Sequence, residues 1–217
     1  MPRAQDAEAR PGPGLSSRNR DVARRSGVCN HVVAVIATKG LHPVPKGTII
    51  VSMTDNQASV IDEGTFSVRR TIRIAAPIEK VWRAVTEPNH ISQWFGRTVL
   101  DGTGPGAAGT MTFADYGAVP IRVEAMDAPN LVSYRWGNDD ALGHLPDSVD
   151  DDTSTVFTFT LEAVPNGTQL TVVETGFDRT SDPASNMASH GEGWVSELDK
   201  LVALLEGTEA AAVGGAA

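Results

Sequence analysis

The last element of this chain is a single long helical stripe. Met187, His190, Trp194, Leu198, Leu201, Val202 and Leu205 fall on one face at helical spacing. Burying Trp194, Leu198, Leu201, Val202 and Leu205 is worth ~1.5–3 kcal/mol each as an upper value. A face of that size must dock on something. The preceding segment supplies the surface: 110–114, 119–126, 131–136, 155–163 and 168–175 alternate apolar and polar residues as half-buried strands do. The chain is thereby constrained to a sheet covered by one long helix.

The segment upstream adds one strand and two short helices. Phe66, Val68, Ile72 and Ile74 alternate on one face of a strand over 66–74. Arg70 falls on that apolar face and is expected to snorkel to water. Ala76-Pro77 opens a helix, with proline in its first turn. Ile78, Val81, Trp82 and Val85 form its stripe. Pro88 stops it and starts a shorter helix, in which Ile91, Trp94 and Phe95 share a face. Further on, 102–106 reads as a glycine-rich loop and 137–153 as a long polar one. Pro165-Asn166-Gly167 carries the Asn-Gly hairpin signal. Asp182-Pro183 caps the long helix, and Gly207 is expected to end it.

Charge divides the chain. Of its 217 residues, 1–52 hold eight Lys/Arg against three acids, net +5, and 53–217 hold ten bases against 24 acids, net −14. The total of −9 argues against nucleic acid as a partner, since phosphate binding needs a basic face. It argues against anionic membranes too, and no apolar run reaches the ~18–20 residues of a membrane helix. Residues 1–63 read as an extension, disordered or weakly structured, with short β-branched runs at 28–37 and 47–53. Met53, at the charge boundary, is an alternative start. The single cysteine, Cys29, forbids an intrachain disulfide and favours a cytoplasmic location. Arg24-Arg25 is too weakly followed by apolar residues to read as an export signal. The expected domain is 64–207, followed by a disordered Ala/Gly tail over 208–217.

The order of elements is strand, two short helices, a run of about six antiparallel strands, then one long helix. With Ile72-Arg73-Ile74-Ala75-Ala76-Pro77-Ile78-Glu79-Lys80-Val81-Trp82, Ile91-Ser92-Gln93-Trp94-Phe95, Tyr134-Arg135-Trp136, Val173-Glu174-Thr175-Gly176-Phe177 and Gly193-Trp194, it resembles the START/SRPBCC superfamily. Within it, the chain is similar to the branch named after the activator of heat-shock protein 90 ATPase, homologue 1-like. That resemblance covers 65–206. It implies an α+β helix-grip (START-like) fold with an apolar cavity between sheet and helix. Three functions follow from it: binding of a small apolar molecule, activation of a chaperone ATPase in a stress response, or a cavity enzyme of cyclase or hydrolase type. The ligand-binding reading is favoured over the enzyme. No cofactor is implied, and monomer and homodimer both remain open.

Trp94, Tyr134, Trp136 and Trp194 are the natural walls of such a cavity; each also suits plain core packing. Leu170, Val172 and Glu174 share the inner face of the last strand, so period 2 aims Glu174 at the cavity. A desolvated carboxylate there would have a raised pKa and could act as a base, unless the strand has reached the wet rim. His190 lies one helical turn before Trp194 and could pair with Glu174 as an acid–base dyad, or merely pack. These six residues are the ligand-site candidates, with Glu174 and His190 the catalytic ones. His90 and His144 receive no role. The aspartates of 137–153 lack calcium-loop spacing and read as a solvated, self-repelling loop, so no metal is expected. The 102–106 glycines lack the Gly-Lys-Ser/Thr ending of a phosphate loop, and no Gly-x-Ser-x-Gly elbow is present.

Overall fold

Eight strands pair into one antiparallel sheet in the computed structural model, which describes residues 56–213, with side chains described as far as Gly207. The strands are β1 (Val60–Asp62), β2 (Ser67–Ile74), β3 (Arg97–Asp101), β4 (Ala108–Phe113), β5 (Gly117–Asp127), β6 (Leu131–Trp136), β7 (Thr155–Val164) and β8 (Gly167–Thr175). Their spatial order is β1-β2-β8-β7-β6-β5-β4-β3. Every neighbouring pair but β2 and β8 is consecutive in sequence. Helices α1 (Ile78–Thr86) and α2 (Pro88–Ile91) carry the chain from β2 to the far edge, where β3 begins. The long helix α3 (Pro183–Val213) leaves the middle of the sheet and lies against its curved inner face. The helix-grip α+β fold expected from the sequence is therefore the observed one.

The inner face follows the pleat. Val68, Ile72 and Ile74 of β2, Phe157, Phe159 and Leu161 of β7, and Leu170 and Val172 of β8 are buried. Met187, Trp194, Leu198, Leu201 and Leu205 close over them from α3. Asp182 caps α3 as expected, accepting the Ser185 N–H at 3.1 Å. Two interior aromatics anchor their polar ends on α1: Trp94 Nε1 donates to Ala84 O at 2.9 Å and Tyr134 Oη to Val85 O at 2.8 Å.

Several expectations need correction. Arg70 does not snorkel; it is 2% exposed. Its guanidinium turns toward α3, donating to Trp194 O (2.9 Å), Val195 O (2.7 Å) and Asp199 Oδ1 (2.6 Å), with Nε on Gln57 O. Those acceptors make a buried arginine tolerable. The sheet has eight strands, two more than the six segments located in the sequence, because both edge strands escaped the pattern. β1 is exposed throughout, and β3 buries one position fully, Thr98. Residues 56–63, assigned to the extension, thus include a strand. At the β7–β8 turn the central residues are Pro165 and Asn166. Asn166 takes the left-handed conformation (φ 62), and Val164 pairs with Gly167. Gly167 is required for another reason: a Cβ there would collide with the Ile74 carbonyl. Gly207 does not end α3, whose backbone continues to Val213. The readings placed at 28–37, 47–53, Arg24-Arg25, Cys29 and Met53 lie outside the described residues.

The acidic 137–153 loop is tied down rather than self-repelling. Asp139 accepts hydrogen bonds from Ser181 and Asn186 at the start of α3. Asp151 pairs with Arg122 at 2.5 Å and Arg135 at 3.3 Å, and its carbonyl accepts from Arg179. No metal-binding group of side chains occurs among the described residues, and no helix there is long and apolar enough to cross a membrane.

Candidate functional site

Glu174 sits on the inner face of β8, as its alternation with Leu170 and Val172 predicts, and is fully buried. The alternative of a wet rim position is excluded. Two elements bring donors to it. From the sheet, Thr155 Oγ1 (2.6 Å) and Trp136 Nε1 (2.8 Å) donate to Oε1. From α3, His190 Nδ1 meets Oε1 at 3.0 Å and Trp194 Nε1 donates to Oε2 at 2.8 Å. His190 and Trp194 are one helical turn apart, so a single carboxylate fixes both. Such saturation is what a buried charge needs to be tolerated.

The electrostatics of the pair reverse the sequence expectation. Burial pushes the Glu174 carboxyl up, but the His190 charge and hydrogen bond, with Thr155 and Trp136, outweigh it and hold the pKa below the usual carboxylate range. Burial pushes His190 down, while the Glu174 charge and hydrogen bond, with Asp140 and Asp139, carry it above its ordinary value. Each group thus favours the charged form of the other. With four donors converging on it, Glu174 is a poor base. His190 Nε2 points away from Glu174 toward Asn138 Nδ2 (3.3 Å) and Asp140 (3.9 Å).

Beyond this pair lies a cavity of about 200 Å³ between α3 and the sheet. Phe95, Phe113, Trp136 and Trp194 wall it, Asn138 and Asp140 edge it, and α3 contributes Ser189, His190, Gly193 and Glu197. Tyr116, from the β4–β5 turn, is half exposed at its border. The Tyr116 hydroxyl is raised in pKa by burial and by a hydrogen bond to Asp140. Phe95 packs at 5.4 Å from Trp194 and 5.9 Å from Trp136, so three aromatic rings form one corner.

Of the six candidates, Trp136, His190 and Trp194 line the cavity and Glu174 supports them from beneath. Trp94 and Tyr134 do not line it. They belong to the core, with their polar ends spent on α1 carbonyls. The dyad geometry is present, at 3.0 Å. Phe95, Phe113, Asn138, Asp140, Gly193 and Glu197 were missed. One signal was available: Ser189, Gly193 and Glu197 recur at i, i+4 and i+8, a small and polar stripe beside the apolar one. His90 lies half exposed beside Glu87, and His144 is exposed in the loop.

The sequence pattern that defines the activator of Hsp90 ATPase homolog 1-like protein family (AHSA1) matches residues 75–206. This chain belongs to the AHSA1 family. The match runs from Ala75, three residues before α1, to within α3, and so contains Glu174, His190 and the cavity walls. Among solved structures, protein MLL2253 from Mesorhizobium loti is 29% identical, with a TM-score of 0.54 over 65% of this chain and 98% of that one. DynU16, a protein of the dynemicin biosynthetic locus, is 28% identical with a TM-score of 0.52 over 64% of this chain. The AHSA1 chain spans 47% of DynU16's length. The Aha1 dimer from Colwellia psychrerythraea, at 22% identity and TM-score 0.51, shares the fold. A comparison with curated protein sequences finds no match.

Proposed function

We propose that this AHSA1-family protein binds a small, largely apolar molecule in the cavity between α3 and the sheet. The observation that carries the reading is the use of Glu174. A buried carboxylate spends its hydrogen-bonding capacity on fixing Trp136, Trp194 and His190, which are three of the cavity's walls. Pre-set aromatic walls around a concave space, with polar side chains at its edge to orient a guest, suit a small ligand. The relationship to DynU16, a protein of a natural-product biosynthetic locus, is consistent with such a ligand. Neither activation of a chaperone nor a cavity reaction gains support from an observation of this kind. Glu174, the base a dyad mechanism would need, has its oxygens already engaged.

Native mass spectrometry of freshly purified protein, with a thermal-shift screen of apolar ligands, tests the proposal. The expected result is a co-purified small molecule or a ligand that raises the melting temperature. Saturation at 100 times Kd adds ~2.7 kcal/mol of stability through linkage. A protein that carries nothing and responds to no apolar ligand overturns it.

A further inference from the structure

The helical wall of the cavity has a gap. Ser189, Gly193 and Glu197 follow one another at intervals of one turn, and all three line the space. The two polar members are held by neighbours within the chain. Ser189 Oγ donates to Asp140 Oδ2, and Glu197 Oε1 accepts from Lys200 at 2.7 Å. The second Glu197 oxygen is shut off from solvent, and so from a guest. His190 is held by Glu174 beneath it. The helical wall therefore presents a guest with no unmatched charge within reach. What it presents between Ser189 and Glu197 is bare backbone.

The glycine at that point has a cost and no cause inside the protein. Glycine within a helix is disfavoured relative to alanine. A Cβ built at Gly193 would meet nothing within 4 Å, so no protein neighbour requires its absence. Gly191, two residues earlier, differs: a Cβ there would touch the Ile61 side chain at 3.6 Å. The residue after Gly193 is Trp194, which forms the aromatic corner with Phe95 and Trp136, ring centroids 5.4 to 6.1 Å apart. Contact between aromatic rings stabilises beyond the area it buries. The cavity, at about 200 Å³, is smaller than the ~300–1,000 Å³ of drug-sized sites, so one added side chain takes a large share of it.

Resting on the reading of this cavity as the binding site, we infer that its guest is a flat, uncharged fused-ring aromatic lying against the bare backbone of Gly193, and that Gly193 fixes how large the guest can be. One edge of the ring system packs in the corner of Phe95, Trp136 and Trp194. The strip of backbone between the tied-back Ser189 and Glu197 side chains admits a thin body and excludes a thick one.

The test is calorimetric titration of the full chain at pH 7 with phenol, 2-naphthol and decahydro-2-naphthol, the last having the same ring skeleton without the flatness. The indole N–H resonances of Trp136 and Trp194, followed by NMR, report whether the cavity is the place of binding. 2-Naphthol is expected to bind at least tenfold more tightly than either of the others. Gly193→Leu, checked for native circular dichroism, should weaken 2-naphthol at least tenfold and phenol less than threefold. Gly193→Ala should fall between, and Ser196→Leu, the same side chain on the exposed face of α3, should change neither. Decahydro-2-naphthol binding as tightly as 2-naphthol, or 2-naphthol affinity undiminished in Gly193→Leu while both indole resonances still shift, overturns the inference and leaves the cavity reading standing. Failure of all three probes to bind, or binding that moves neither indole resonance, overturns the cavity reading and this inference with it.

Discussion

Trp194 donates its indole N–H to Glu174 Oε2 at 2.8 Å, joining the middle of α3 to the inner face of β8. The backbone of the same helical turn accepts two hydrogen bonds from Arg70 of the adjacent strand β2, through the carbonyls of Trp194 and Val195. One residue of α3 is thus held through its side chain by a buried carboxylate and through its carbonyl by a buried guanidinium.

Removing the carboxylate should be costly. Glu174→Ala leaves His190 and two indole N–H groups buried without their acceptor, and a loss of about 3–5 kcal/mol is expected for breaking a buried pair. Glu174→Gln keeps the shape and should lose less. Urea unfolding gives the stabilities. Titration of His190 by NMR should show its pKa falling in both variants, because the charge that raises it is gone.

The pair also sets a pH window. Glu174 has a depressed folded pKa, so its contribution is present above the unfolded value of ~4.3 and is lost as pH falls through the lower folded value. His190 has a raised folded pKa, so its contribution is complete below ~6.5 and is lost as pH rises through the higher folded value. Stability should therefore be greatest between about pH 4.5 and 6.5 as far as this pair is concerned. Urea midpoints across pH 4–9 measure it. His190→Gln should flatten the alkaline decline; a decline of unchanged slope would assign it to other groups.

Arg70 is expected to stabilise through the helix rather than through Asp199, which is 59% exposed. Arg70→Ala should cost about 2–3 kcal/mol, the range for buried hydrogen bonds from a charged donor. Asp199→Asn should cost under about 1 kcal/mol, as exposed ion pairs do. Guanidinium-chloride midpoints of the two variants make the comparison.

Gly193→Ala should raise the stability of the ligand-free protein by about 0.5–1 kcal/mol, since the added methyl meets open space and removes a helix-interior glycine. Differential scanning calorimetry reads this directly. A destabilised Gly193→Ala would mean that the helix backbone there is under a constraint the geometry does not contain.

The parts of the fold that were legible are those where burial imposes a strict period. Val68, Ile72 and Ile74, or Leu170, Val172 and Glu174, repeat every second residue because one face meets α3, and the same reasoning placed Glu174 inside. Edge strands carry no such obligation: Val60 and Val99 are exposed, so β1 and β3 left no clear alternation. Arg70 was read by its usual preference for water, because its acceptors lie about 125 residues away in α3. Trp136 and Trp194 could be named as walls, but Trp94 and Tyr134 could not be separated from them. All four aromatics are buried, and only the tertiary position of α1 decides which of them spend their polar ends on its carbonyls. Glu197 escaped notice because an acidic residue on a helix ordinarily faces solvent.

The double hold on Trp194 and Val195 has a consequence for how a guest enters. The helical side of the chamber is fastened through both side chain and backbone at the turn that carries Trp194, so it is the less movable side. The opposing side is made of the loop with Asn138 and Asp140 and the β4–β5 turn with Tyr116, which stands 42% exposed. On the proposed reading of the cavity as a binding site, the exchange rate of a bound molecule should follow substitutions at Tyr116 rather than in α3.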